Sequence, residues 1–259
     1  MTTHTVGAWT AQAGALVLAT LAACSSSTPA PADGNDAATC DPCGGDDSGT
    51  GAGSGTDVNP DGVAYPAPAS GYGHNPRSGN TPGSIIQNFK FLGYLNGDMS
   101  QPLTTISLAD YYDPCNKRYK LLHISVAAVW CEPCNEETDA VVADLGSSSS
   151  VLNADQVVFI QALDDGPTEG VPATKSDLDY WITKHSSNFT EMLDPGLKNL
   201  GGFFNAAAIP WNSDIDVRTM EMLDSSEGWD GDVGSEVKPG LSALPAMPSY
   251  PLPAGVTCN

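Results

Sequence analysis

The chain has 259 residues, 41% of them hydrophobic, which suits one domain with extensions or at most two small domains. Lys and Arg number 10 against 31 Asp and Glu, and the net charge of -21 argues against the basic surface that nucleic acid or anionic lipid would need. No apolar run approaches the ~20 residues of a membrane-spanning helix, and 27 Gly with 20 Pro keep much of the chain out of regular structure.

Residues 1–23 carry no Asp, Glu, Lys or Arg, and Ala15-Leu16-Val17-Leu18-Ala19-Thr20-Leu21 is a short apolar core of export-signal type. Leu21-Ala22-Ala23-Cys24 then resembles the lipobox of bacterial lipoproteins. That resemblance implies lipidation of Cys24, with an ordinary secretory signal as the alternative. Residues 24–80, rich in Gly, Pro, Ser and Asp, predict a flexible tether. Within it, Cys40-Asp41-Pro42-Cys43 is an incomplete zinc set, better read as a local disulfide. Asp57-Val58-Asn59-Pro60-Asp61-Gly62 copies the start of a calcium loop, but position twelve is Pro68 instead of Glu.

Order is expected over 81–224. Ile85 to Leu95 and Leu103 to Leu108 read as short strands, Lys120 to Val129 as a buried strand, and Cys131 to Leu145 as a helix. Gln156 to Leu163 is a second buried strand, Ser176 to His185 a helix, Phe189 to Leu193 a short strand, and Leu197 to Phe204 a short helix or turn. Trp211 to Val217 and Met220 to Leu223 suggest a closing hairpin, and 225–259 reads as an irregular tail. Alternating strands and helices followed by a hairpin give an α/β fold class.

The strongest chemical signal is Trp130-Cys131-Glu132-Pro133-Cys134, where a buried strand gives way to a helix. Unpaired N–H groups and the helix dipole favour a thiolate at Cys131, so a thiol pKa near 8.5 falls to roughly 3.5–7.5 in such a position. Cys134, one turn in, is placed to close a disulfide after Cys131 attacks. Pro133 is tolerated because the first turn does not use its N–H.

This stretch resembles the thioredoxin superfamily, and within it the membrane-tethered TlpA/ResA-type reductases, over roughly Ile85 to Asp224. Gly83, Asn88-Phe89 and Ile106-Ser107-Leu108-Ala109-Asp110 look like the N-terminal hairpin of redoxin-type members. Ala208-Ile209-Pro210 looks like the cis-proline loop, whose preceding residue pairs its backbone with extended substrate. The resemblance implies a thioredoxin-like mixed sheet flanked by helices. It assigns Cys131 as nucleophile and Cys134 as resolving thiol, with Trp130, Glu132, Pro133, Ile209 and Pro210 beside the substrate. Glu137 matches the acid these proteins carry three residues after the second Cys, while Ser125 stands where the thioredoxins proper carry Asp. The competing reading of Glu137 is a solvated charge in the run Glu136-Glu137.

The implied chemistry is thiol–disulfide exchange with protein thiols and disulfides in a bacterial envelope, without metal or organic cofactor. It needs an electron donor, for which a membrane thiol transporter is one candidate. Reductant or oxidant direction stays open, and a non-catalytic binding lipoprotein with a structural Cys131–Cys134 bridge is the rival. Of seven cysteines, Cys24 goes to the lipid and the active pair takes two; Cys40–Cys43 with Cys115–Cys258 is the expected pairing of the rest. His123 and His185 lack partners at metal spacing and read as a core and a surface histidine.

Overall fold

The structure is a computed structural model and describes residues 57–66, 80–205, 208–246 and 251–258. Cys24, Cys40 and Cys43 lie outside the described residues. The elements run β1 (Lys90–Tyr94), β2 (Thr104–Ser107), β3 (Leu121–Ala127), α1 (Glu132–Leu145), α2 (Val151–Asp155), β4 (Val157–Leu163), α3 (Lys175–His185), β5 (Thr190–Leu193), β6 (Trp211–Asp216), β7 (Glu221–Glu227) and α4 (Val233–Ala243).

The apolar runs of β3 and β4 make the parallel centre of a seven-stranded sheet ordered β2-β1-β5-β4-β3-β6-β7. β5 continues in parallel beside β4, and β1 and β2 close that side as an antiparallel hairpin. On the other side β6 and β7 run antiparallel. The connections β3–α1–β4 and β4–α3–β5 step across the sheet in one direction, so right-handed crossovers put α1 and α3 on the same face. There α1 meets α2, α3 and α4.

Strand alternation divides the core. Leu121 of β3, Val157 and Phe159 of β4, and Phe189 just ahead of β5 pack with Val141, Leu152, Val233 and Val237 from the helices. Leu122, Ile124, Val126, Ile160 and Ala162 join the main core with Ile85, Ile86, Leu108 and Tyr112.

Four expectations need correction. The first strand begins at Lys90, because Gly83 and Ile86 donate backbone N–H bonds to Met222 and Met220 and follow β7 instead. α2 was not expected after the serine run; the Ser150 hydroxyl accepts the Asn153 N–H and caps it. The tail is not irregular throughout. Asp232 caps α4 by accepting the Ser235 N–H at 2.7 Å, and Val233, Val237 and Gly240 supply a buried stripe at helical spacing. Within the stretch read as a tether, residues 57–66 pack on the domain: Asn59 Nδ2 donates to Tyr112 O at 2.9 Å and Tyr65 Oη to Ile86 O at 2.8 Å.

Candidate active site

Cys131 is the N-cap of α1, and Pro133 occupies the first turn, where its missing N–H costs nothing. Cys131 and Cys134 are joined in a disulfide with Cα atoms 5.3 Å apart. Cys131 Sγ accepts the Cys134 N–H at 3.2 Å, so the amide that would stabilise a thiolate already points at this sulfur. Both residues are buried, Cys131 at 2% and Cys134 at 0% exposure. Exposure therefore hardly separates them; the helix terminus does. Trp130 is half-buried and Glu132 and Pro133 are exposed at the mouth of the site.

Facing the disulfide is the Ile209–Pro210 bond, which is cis. Ile209 O lies 3.6 Å from Cys131 Sγ, and β6 starts at the next residue, Trp211. A Cys-x-x-Cys helix start after the central parallel strand, a cis-proline beside it, and the antiparallel β6–β7 pair next in the sheet make one arrangement. The fold is thioredoxin-like. No family model and no curated protein matches the sequence. Similar solved structures include a Chlorobium tepidum protein provisionally described as the thiol:disulfide interchange protein DsbE, at 16% identity and TM-score 0.46, covering 64% of this chain and 99% of that one. An uncharacterized conserved protein from Geobacillus kaustophilus gives 15% and 0.45, covering 64% and 83%. An exposed lipoprotein thioredoxin from Streptococcus pneumoniae gives 18% and 0.41, covering 62% and 100%.

Beneath the thioredoxin-like disulfide lies a buried polar stripe. Cys134, Glu137, Thr138 and Val141 form the inner face of α1. Glu137 is 1% exposed, while Glu136 faces solvent. Its carboxylate accepts from Ser125 Oγ at 2.7 Å and from Asn212 Nδ2 at 2.8 Å. Ser125, on the central strand, thus holds this acid from below. Burial pushes the Glu137 carboxyl up to about 7, against the two hydrogen bonds and the His123 charge, which pull it down.

His123 sits next along the same face, stacked on Phe159. Its Nδ1 is 2.8 Å from Asp214 Oδ1 and its Nε2 3.1 Å from Asn212 Oδ1. Burial works against its charge, yet the Asp214 bond and the carboxylates of Asp214, Glu137 and Glu236 prevail and lift it to about 9. Polar atoms of His123, Glu137 and Glu236 lie within 4.8 Å of one another. Both ring nitrogens of His123 are already engaged, so this is a hydrogen-bonded cluster of titratable groups and not a free ligand set.

Ser125 and Gln161 stand in register, as do Gln161 and Glu191. Gln161 Oε1 takes bonds from Thr138 Oγ1 and Trp181 Nε1, both at 3.0 Å. Glu191 is 0% exposed, and burial pushes its pKa well up, against the pull of the neighbouring Ser187 hydroxyl.

On the other side of Trp130 a cleft of about 430 Å³ is lined by Asp164, Asp165, Leu197 and Asn205. Trp130 Nε1 donates to Asp165 Oδ2 at 3.3 Å. Burial, then the neighbouring Asp165, raises Asp164 to about 7.

Sequence reasoning singled out neither Asn212 nor Gln161, Thr138, Asp165 and Glu191. Its available signal was a polar residue interrupting an apolar strand, as Ser125 and Gln161 do. His185, expected at the surface, is buried, with Nδ1 2.6 Å from Asp139 Oδ1 and Nε2 3.1 Å from Asn135 Oδ1. Cys115 and Cys258 form a disulfide across a sequence separation of 143. Among the described residues, no helix is long and apolar enough to cross a membrane.

Proposed function

We propose that the chain is an exported thiol–disulfide oxidoreductase that reduces protein disulfides in a bacterial envelope. The observation that carries this reading is Cys131 Sγ at the start of α1, facing the Cys134 N–H and the Ile209 carbonyl.

In the reduced pair, the Cys131 thiolate attacks one sulfur of a substrate disulfide. That S–S bond breaks, the distal sulfur leaves as a thiolate and takes a proton, and a mixed disulfide remains on Cys131. The Cys134 thiol then gives its proton to Glu137 and attacks Cys131 Sγ. Reduced substrate leaves, and the Cys131–Cys134 disulfide re-forms. Two electrons from a donor dithiol, with two protons, restore the enzyme. Trp130, Glu132, Pro133, Ile209 and Pro210 border the incoming peptide, and the extended substrate backbone pairs with Ile209. The finer parts of the proposal are a signal over 1–23, lipidation of Cys24, a tether over 24–80, and a membrane thiol transporter as donor.

Burial of both sulfurs favours a second reading, a binding domain with a structural bridge. The reduction potential of the purified protein separates them. Exchange chemistry expects a value between about -270 and about -120 mV, whereas one below about -300 mV marks a structural disulfide. In addition, Cys134→Ser is expected to accumulate a mixed disulfide through Cys131 with a protein substrate; its absence would count against the assignment.

A further inference from the structure

The buried cluster behind the disulfide has an outer end. Glu137 and His123 are buried, but Glu236 on α4 is only partly so. It lines a surface cleft of about 310 Å³ together with Glu227, Trp229 and Asp230. Since the polar atoms of the three residues lie within 4.8 Å of one another, a single water can bridge the two carboxyl groups.

We propose that Glu236 exchanges the proton of Glu137 with solvent, and that His123, clamped between Asp214 and Asn212, supplies the positive charge that lets the two carboxyls sit together. This rests on the reading of Cys131 and Cys134 as a redox pair with Glu137 as proton acceptor. A buried base must lose its proton in every cycle, and the interior side offers no way out. Cys134, Thr138, Gln161 and Trp181 there are all fully buried.

The groups around Glu137 are Ser125 and His123 on β3, Asn212 on β6, Glu191 on β5 and Glu236 on α4. Those around Glu236 are His123, Asp214 and Asp230. His123 is held by bonds at both nitrogens and serves as a fixed charge instead of a swinging carrier. Asn212 lies between them, accepting from His123 and donating to Glu137, so an amide separates the ring from the acid.

α4 is fastened where this role requires. The Gly240 N–H donates to Asp214 Oδ2 at 2.9 Å, and a Cβ at Gly240 would come within 2.4 Å of the Asp214 side chain. Asp214 therefore orients both the imidazole and the helix that carries Glu236. In the step itself Cys134 S–H passes its proton to the Glu137 carboxylate. The thiolate displaces the substrate sulfur from Cys131, and the proton moves from Glu137 through water to Glu236 and then to bulk water.

The test uses the full chain with Cys131 reduced and converted to its mixed disulfide with 5-thio-2-nitrobenzoate, whose release by Cys134 is followed by absorbance between pH 6 and 8. At pH 6, where Glu137 starts protonated and must first lose its proton, Glu236→Gln is expected to slow release about tenfold, less than the ~100-fold low end for loss of a direct base. Formate, small enough to enter the cleft, is expected to restore most of the rate. A Glu236→Gln rate within twofold of wild type would overturn the proposal, and so would a slowed rate that formate does not restore, since that marks a structural role. Glu137→Gln, run beside it, tests the underlying reading: an unchanged rate there refutes Glu137 as acceptor, whereas slowing there with a normal Glu236→Gln refutes the outer path alone.

Discussion

Glu137→Gln removes a charge that the native state tolerates poorly, and the consequence is a gain in stability. The carboxyl's ordinary value is 4.5 and burial lifts it to about 7. Between these values the native protein holds a proton that the unfolded chain has released. The free energy of unfolding therefore falls as pH rises through that window. At about 1.4 kcal/mol per pH unit the gap amounts to about 3 kcal/mol, lost in wild type by pH 8. Gln is neutral throughout and keeps both partners, because the Ser125 hydroxyl can either donate or accept. From pH 5 to pH 8 the variant should gain about 2 kcal/mol on wild type. His123, raised to about 9, is stabilising below its unfolded value of 6.5 and loses that contribution as pH rises toward 9. Glu137 is one of the charges that lift His123, so the Gln variant also gives up part of that contribution, and the Glu137 figure is an upper one. Urea unfolding of the oxidised proteins at the two pH values measures it. Equal pH slopes in the two proteins would refute the reasoning, because Glu137 would then ionise alike folded and unfolded.

Gly240→Ala should destabilise by about 1–3 kcal/mol through overpacking, since its Cβ meets Asp214 at 2.4 Å; a urea midpoint within error of wild type would contradict this. Cys258→Ser should cost about 2–4 kcal/mol by releasing the Cys115 bridge, read from thermal or urea unfolding against the unreduced parent. In the reduced protein at pH 7, iodoacetamide should modify Cys131 before Cys134, because only Cys131 caps the helix; peptide mapping with Cys134 labelled first would reverse the assignment.

Much of the helix face was legible in the sequence. The four-residue and three-residue steps from Cys134 through Glu137 and Thr138 to Val141 fall on one stripe of α1. That spacing already favours a buried Glu137 over a solvated one. Ser125 was visible as the position lacking an acid, but its bond to Glu137 depends on how far α1 sits above β3, which no local pattern encodes. Asn212 and Asp214 are farther from reach still, because they meet His123 only through the register of β6 on β3, and the Gly240 bond to Asp214 depends on a helix that was not expected. Gly234, Pro239 and Gly240 depress helix propensity, and packing of Val233 and Val237 against Leu121 and Phe159 outweighs it. The local cue was there in Asp232, three residues ahead of the Ser235 N–H it caps. Residues 57–66 taught the opposite lesson: a composition typical of linkers still docks when Asn59, Tyr65 and the ion pair of Asp57 with Lys90 find partners.

The two margins of the described domain are fastened to the same short turn. Asn59 bonds Tyr112 O, Asp61 reaches Arg118 at 4.0 Å, and Cys258 is bridged to Cys115. That turn precedes the first residue of β3, whereas Cys131 follows its last, so seven strand residues at ~3.3 Å each, about 23 Å, separate the two ends. The leading and trailing described segments are thus both held at the base of the sheet, the trailing one by a covalent crosslink. The Cys131–Cys134 disulfide lies beyond the opposite end of β3, so neither fastening strains the redox pair and either margin can loosen without shifting it.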